Sequence, residues 1–464
     1  MKKKKFNICW PWLALVIAAV LVSSGCTMIP KYERPTAPVA SHYPETTETN
    51  TAPGAANIAW RDFFADERLK KLIELALTNN LDLRVAILNV AQSQAQYRIS
   101  RSALFPTVDG GSGYAKSYAS GMTSDSWSAS LGTTAYEVDL FGRVRSLNKQ
   151  ALEKYFATEE AQRSAQISLV AGVADEYFAL REAEEQLRLA RQTLAAVQES
   201  YDLNQATFDA GASSELDLRT AEGQVQTAKI NVLTYERQIA QVQNYLTVLI
   251  GQPLPADLPA PRSFNDTNLV AEIPAGLPSE LVQRRPDILE AEHTLKAANA
   301  NIGAARAAFF PTLSLTASVG SSSSDFDKLF GSGTGVWSFS PQVTVPIFTG
   351  GQNLAGLNSA KVSRRIEVAN YQKAIETAFR EVADALVANS SYASQIVAEA
   401  ALASAQQRRY DLANLRYRQG DDAYLNVLSA QQDLYSAQQG QIEAQYNKLA
   451  SQISLYKALG GGWK

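Results

Sequence analysis

The sequence predicts a mainly helical chain with a small membrane β part: long α-helical hairpins plus four β-strands, written as two copies of one half-molecule. Three observations predict it. The first is an internal repeat. ALFPT at 103–107 returns as AFFPT at 308–312, and its surroundings return with it. Val138-Asp139-Leu140-Phe141 answers to Val345-Pro346-Ile347-Phe348, and VADEYFAL from Val173 answers to VADALVAN from Val382. YDLNQATFDAG, ending at Gly211, answers to YDLANLRYRQG, ending at Gly420. The offset starts at 205, passes through 207 and settles at 209, as small insertions in surface turns would make it. A solenoid repeat has a period of about 20–50 residues, so this is a duplicated half-molecule. The second observation is the placing of proline: two long stretches, 107–252 and 347–464, contain none. The third is a change of texture just after each FPT, from helix formers to Gly, Ser, Thr and aromatics.

The chain opens MKKKKFNICWPWLALVIAAVLVSSGC: four lysines, an apolar run, then small residues before Cys26. That layout predicts a secretory signal peptide over 1–25, rather than a retained anchor helix, because the run is short and wrongly flanked for a stable span. Small residues leading into Cys26 resemble a bacterial lipobox, with Ser23 where Leu is usual and Leu21 displaced by two places. Cys26 is then the lipidated first residue. Thr27 follows where inner-membrane retention asks for Asp, which implies outward sorting. Cys9 leaves with the signal, so the mature chain keeps one cysteine and no disulfide is possible. Cleavage discards four of the 43 basic residues, leaving 39 against 46 acidic ones, a formal charge of −7. No basic stripe survives, so nucleic acid is not an expected partner.

Residues 26–60 read as an extended, Thr- and Glu-rich leader, marked by prolines from Pro30 to Pro53. The first repeat is then expected over 61–262 and the second over 263–464, with seven prolines between Pro253 and Pro286 marking the linker. Proline costs about 3 kcal/mol inside a helix, so the proline-free stretches are where long helices can live. From Arg143 to Phe208 the residues are mostly Ala, Gln, Glu, Leu and Arg, all good helix formers; the copy runs from about Asn353 to Gln419. Each helix would be near 100 Å long at about 1.5 Å per residue. DAGASSEL and RQGDDAYL then each supply a glycine and a polar cluster, the signature of a stop, a tight turn and a new start. The chain returns through a second helix each time. The helical hairpins are thus expected at about 143–250 and about 353–459. They are rich in Ala and Gln and poor in bulky apolar residues, which fits either a plain coiled-coil rod or a wall of helices around water.

The β zones decide between those two. Hairpins are expected at about 106–141, with a loop ASGMTSD, and at about 311–348, with a loop of serines and glycines. Leu313, Leu315, Ala317 and Val319 alternate with polar residues, as do Trp337, Phe339, Val343, Val345 and Ile347. Period-two alternation over about ten residues marks a membrane β-strand. A soluble hairpin with one buried face would show the same alternation. It would not explain an exported chain in which two such hairpins each lead into a helix of that length. Four strands cannot close a membrane barrel, which needs at least about eight, and an open edge in lipid is forbidden. Copies of the chain must complete it.

At this point the residues resemble a known family, the TolC-like outer-membrane factors of bacterial tripartite efflux and secretion systems, nearest to the OprM-type lipoproteins. The motifs that carry the resemblance are WRDFFADERLKKLIELALTNNLDLRVA, ALFPT, EVDLFGR, LPSELVQRRPDILEAEHTLKAANANIGAARAAFFPTLSL and the terminal LYKALGGGW. The resemblance implies a homotrimer with a twelve-stranded barrel in outer-membrane lipid, and a helical barrel closed at its periplasmic tip. It also implies two partners, a periplasmic adaptor (membrane fusion protein) and an inner-membrane RND-type transporter. The adaptor-docking tips are then Gly211, Ala212 and Ser213 in one turn, and Gly420, Asp421 and Asp422 in the other. The family's latch joins a tyrosine before the second turn to an aspartate after the first, which matches Tyr417 and Asp217 here. The alternative is that Asp217 serves only as a helix cap. Where TolC carries an arginine and two ring-forming aspartates, this chain has Asp422, Asn426 and Ser429, so no carboxylate ring is expected. Leu425 is the apolar constriction by the same resemblance.

An enzyme is the main rival class. The sequence has two histidines, His42 and His293, with no Cys/His metal spacing, nucleophile elbow or phosphate loop, and no cofactor is expected. Glu290 and Glu292 read as a solvated helix face. A coiled-coil lipoprotein without a pore, or a protein-secretion outlet, remain open. The lack of Met- or His-rich clusters speaks against a dedicated copper or silver outlet.

Overall fold

Each proline-free stretch holds two long helices separated by a glycine turn, and the first stretch also carries a β-hairpin ahead of them. The computed structural model describes residues 27–40, 43, 58–264, 266, 270–271 and 284–463. The signal peptide, Cys26, His42 and residues 44–57 of the Thr- and Glu-rich leader lie outside those residues. In chain order the helices are α1 (Trp60–Phe63), α2 (Glu67–Asn79), α3 (Leu81–Ser102), α4 (Arg143–Asp209), α5 (Glu215–Ile250), α6 (Pro286–Ala307), α7 (Gln352–Gln419) and α8 (Tyr424–Ala458). The strands are β1 (Asp109–Ala119), β2 (Met122–Val138), β3 (Thr312–Ser323) and β4 (Gly335–Thr344). With 67 and 68 residues, α4 and α7 each extend about 100 Å at ~1.5 Å per residue. Among the described residues no helix is apolar enough to cross a membrane.

Contacts divide the chain into two compact units: one from residues 1–36, 89–159 and 290–372, the other from 37–88, 160–289 and 373–464. Each unit draws on both repeats, because each helical hairpin is long enough for its two ends to belong to different packing environments.

In the first unit the four strands form one antiparallel sheet in the order β1-β2-β3-β4. The long loop expected at ASGMTSD is not there. Ala119 pairs with Met122, so only Ser120 and Gly121 turn the chain. Both have positive φ, 51° and 81°, the mirror-image turn whose twist suits a two-residue hairpin. The β3–β4 connection is the longer one and carries a short 3₁₀ turn at Phe326–Lys328. β4 stops at Thr344, so Val345 and Ile347, expected in the strand, lie past it. Pro341 sits within β4 opposite Leu315, which an edge strand tolerates because one of its sides is unpaired. The sheet therefore ends in two open edges, β1 and β4.

The described leader residues 27–40 form no helix or strand, yet they are clamped. Arg306 donates to Met28 O (3.2 Å) and Asn299 to Pro30 O (2.8 Å), so the backbone runs along α6. Tyr32 Oη donates to Glu292 Oε1 (3.1 Å), and Arg34 grips both carboxylate oxygens at 3.0 and 2.7 Å. Lys296 Nζ adds a contact at 3.2 Å. The expectation of a solvated face at Glu292 is thus corrected: its side chain is 3% exposed, and four contacts replace its water. His293 is paired as well: its Nδ1 lies 2.6 Å from Glu153, which also pairs with Lys149.

Burial alone would raise the Glu292 carboxyl, but hydrogen bonds from Arg34 and Lys296, and the charge on Lys296, hold it below its ordinary range. A depressed carboxylate contributes stability above its unfolded pKa and loses it as pH falls through the folded value. Glu292→Ala should cost about 1–3 kcal/mol at neutral pH, below the full figure for a buried pair because Arg34 is partly exposed. The deficit should shrink below about pH 4. Thermal unfolding of parent and variant at neutral and acid pH checks both statements.

The second unit is built around aromatic rings. Trp60, Phe63, Phe64, Leu69, Leu72, Ile73 and Tyr456 are buried, with Phe63 stacked on Tyr456 at 4.1 Å. Asp66 caps α2 by accepting from Arg68 N (2.8 Å), and also accepts from Tyr177 Oη (2.7 Å) and Arg262 N (3.1 Å). One buried carboxylate thus ties α2, α4 and the inter-repeat linker. Arg285 does the same between α6, α7 and the end of α8, through Asp287, Glu381 and Ala458 O.

Candidate functional site at the paired glycine turns

Both glycine turns close their helices in the same way. Gly211 and Gly420 adopt φ of 72° and 82°, a left-handed conformation that glycine enters without a Cβ penalty. After α4, Gly211 N donates to Phe208 O and Ala212 N to Thr207 O, both at 2.8 Å. After α7, Gly420 N donates to Tyr417 O (2.9 Å) and Asp421 N to Arg416 O (3.0 Å). These paired bonds are the Schellman arrangement, which satisfies the last free carbonyls of a helix. The repeat in sequence is therefore a repeat in backbone geometry.

The returning helices start differently. Ser214 caps α5 by accepting from Asp217 N (3.2 Å), while its hydroxyl donates to Asp217 Oδ2 (2.7 Å). Asp217 is thus held by the cap. Ser213 is also engaged, between Thr207 Oγ1 and Asn204 O. Within one chain the phenol of Tyr417 reaches Asn204 Oδ1 at 3.4 Å; no bond joins it to Asp217. The carboxylate still acts at a distance: burial first, then the charge on Asp217, push the Tyr417 phenol up, so it stays a donor.

The remaining residues named from sequence fall at the start of α8. Asp422 pairs with Arg416 (3.3 Å) and accepts from Asn426 Nδ2 (2.5 Å), and Arg409 Nη2 donates to Ser429 Oγ (3.3 Å). Asn426 and Ser429 carry no charge. Leu425 is 65% exposed, and presents an apolar side chain on the first turn of α8.

What holds the tip together in this chain is an aromatic group that the sequence reading missed. Tyr424 (6% exposed), Val427 and Ala221 form a buried cluster, and Tyr201, Tyr410 and Tyr417 pack against it. The Tyr417 and Tyr424 rings lie 5.4 Å apart at 54°. Through Ala221, the cluster joins α5 to α7 and α8. A signal was present: Tyr201 and Tyr410 occupy equivalent places in the two YDL phrases, and both face the same cluster.

The family described as "Outer membrane efflux protein" matches residues 72–252 and 277–461. The toluene efflux pump outer membrane protein TtgC of Pseudomonas putida is 48% identical over 464 residues, covering 97% of this chain and 95% of that one. The cation efflux system protein CusC of Escherichia coli is 39% identical over 459 residues, covering 98% and 99%. The open-state MtrE outer membrane channel of Neisseria gonorrhoeae has the same fold, with a TM-score of 0.89, 41% identity and coverage of 95% and 99%. The chain belongs to the outer membrane efflux protein family.

Proposed function

We propose that three copies of this outer-membrane efflux channel subunit close a twelve-stranded barrel and form the exit duct of a tripartite pump. The observation that carries the reading is the four-stranded sheet with two open edges, each hairpin followed by a helix of about 100 Å. Edges cannot stay open in lipid, and β1 of one copy offers an edge to β4 of the next. Acylation at Cys26, two residues ahead of the clamped Met28, anchors each subunit at the membrane. The tip residues Asp217, Tyr417, Leu425, Asn426 and Ser429 form the periplasmic gate. Gly211, Ala212, Ser213, Gly420, Asp421 and Asp422 present the surface on which a periplasmic adaptor docks, delivering cargo from an inner-membrane RND-type transporter. The cargo is small organic molecules, a choice supported by the 48% identity to a protein named for toluene efflux against 39% for one named for cations.

The test is electrical. Purified protein in a planar bilayer should show small single-channel conductance as isolated and larger conductance when the tip contacts are weakened. A folded, inserted protein that never conducts, with any tip variant, would show that the chain is a tether rather than a duct.

A further inference from the structure

At the tip, α4 and the α7–α8 hairpin border a cavity of about 700 Å³, within the range of about 300–1,000 Å³ that small-molecule sites occupy. Tyr410, Tyr417 and Tyr424 give it an aromatic wall. The Asn414 amide lines it too, and forms no hydrogen bond among the described residues. Two charges of opposite sign stand at its exposed rim, Glu199 on α4 and Arg418 on α7. Each acts on the Tyr410 phenol, yet neither closes an ion pair with the other or with another described residue. A tyrosine wall with an unpaired carboxylate and guanidinium at its rim leaves space for a flat molecule carrying both charges.

We propose that this cavity binds a planar aromatic zwitterion, its ring against Tyr410, its ammonium toward Glu199 and its carboxylate toward Arg418. The binding energies follow from the parts: aromatic faces favour ring contact and cation proximity, and the guanidinium fork matches a carboxylate. Because the ligand spans α4 and α7, it favours the spacing of the walls seen here over one in which they part. The inference rests on the efflux reading only in making that ligand cargo; the site itself stands on the cavity.

Norfloxacin is a suitable probe, since it is a flat bicycle with a carboxylate and a secondary amine, and it fluoresces. Titrated into intact detergent-solubilised protein, its anisotropy should rise and saturate. Glu199→Gln and Arg418→Gln should each weaken binding about tenfold, the loss of one charge-assisted contact, and Tyr410→Ala at least as much. All three keep helix-compatible side chains, so helical content should be unchanged. 2-Naphthoic acid, which lacks the amine, should bind in a way that Arg418→Gln weakens and Glu199→Gln leaves alone. No saturable binding of norfloxacin, or binding indifferent to both charge variants, overturns the proposal. A protein that conducts but does not bind loses this site and keeps the duct; one that binds but never conducts loses the duct and keeps the site.

Discussion

In the proposed duct, replacing Tyr424 with alanine should make the tip leak. Tyr424 is 6% exposed and packs on Ala221 and Val427, with Tyr417, Tyr410 and Tyr201 around it. Truncating a buried aromatic costs about 3–5 kcal/mol, from lost transfer energy and the cavity left behind. That cost falls on the contact between α5 and the α7–α8 hairpin, and it recurs in every subunit. Tyr417→Phe removes much less, one 3.4 Å hydrogen bond to Asn204, about 0.5–1.5 kcal/mol. Asp217→Ala loses a capping contact of similar size. The expected order of bilayer conductance, and of vancomycin uptake by cells, is therefore Tyr424→Ala well above Tyr417→Phe and Asp217→Ala. Tyr417→Phe combined with Asn204→Ala should leak little more than either alone, because the two share one bond. If Tyr424→Ala conducts like the parent while folding and assembling normally, the aromatic cluster does not hold the tip, and the exposed Leu425 becomes the next residue to change.

Asp66→Ala should be the most damaging loss of a polar side chain in the second unit. The carboxylate is 1% exposed and serves three donors: Arg68 N, Tyr177 Oη and Arg262 N. Losing an N-cap costs about 1 kcal/mol, and leaving the fully buried Tyr177 phenol without an acceptor adds about 1–3 kcal/mol. The linker backbone at Arg262 loses its partner as well. A total of about 3–4 kcal/mol is expected, seen as a lower unfolding temperature by circular dichroism. Tyr177→Phe should cost less, since Asp66 then keeps both backbone donors. Equal stability of Asp66→Ala and the parent would mean that this knot contributes nothing.

The helices were legible because their cause is local. Arg143 to Phe208 is mostly good helix formers and holds no proline, the glycines at 211 and 420 stop the helices, and the repeat pairs each boundary with the other. The strands were legible in number and partner for the same reason, although Ser120-Gly121 shows how a polar, loop-like run can be strand on both sides of a two-residue turn. What could not be read was long-range. Arg34 meets Glu292 across 258 residues and Tyr417 meets Asn204 across 213. A glutamate on a helix has the same letters around it whether water or a guanidinium satisfies it. The tip tyrosines were visible as repeated letters, but their burial depends on how two hairpins pack. The residues at the turns were named from family resemblance; their partners within the chain could not be read at all.

The most direct measurement is the native mass of the intact protein released from outer membranes into a membrane mimetic. Four strands with two open edges require that copies supply the rest of the barrel. The mass should correspond to three chains, each beginning at an acylated Cys26, with twelve strands in total. A folded, membrane-inserted monomer, or a mass that gives fewer than eight strands, would contradict the account.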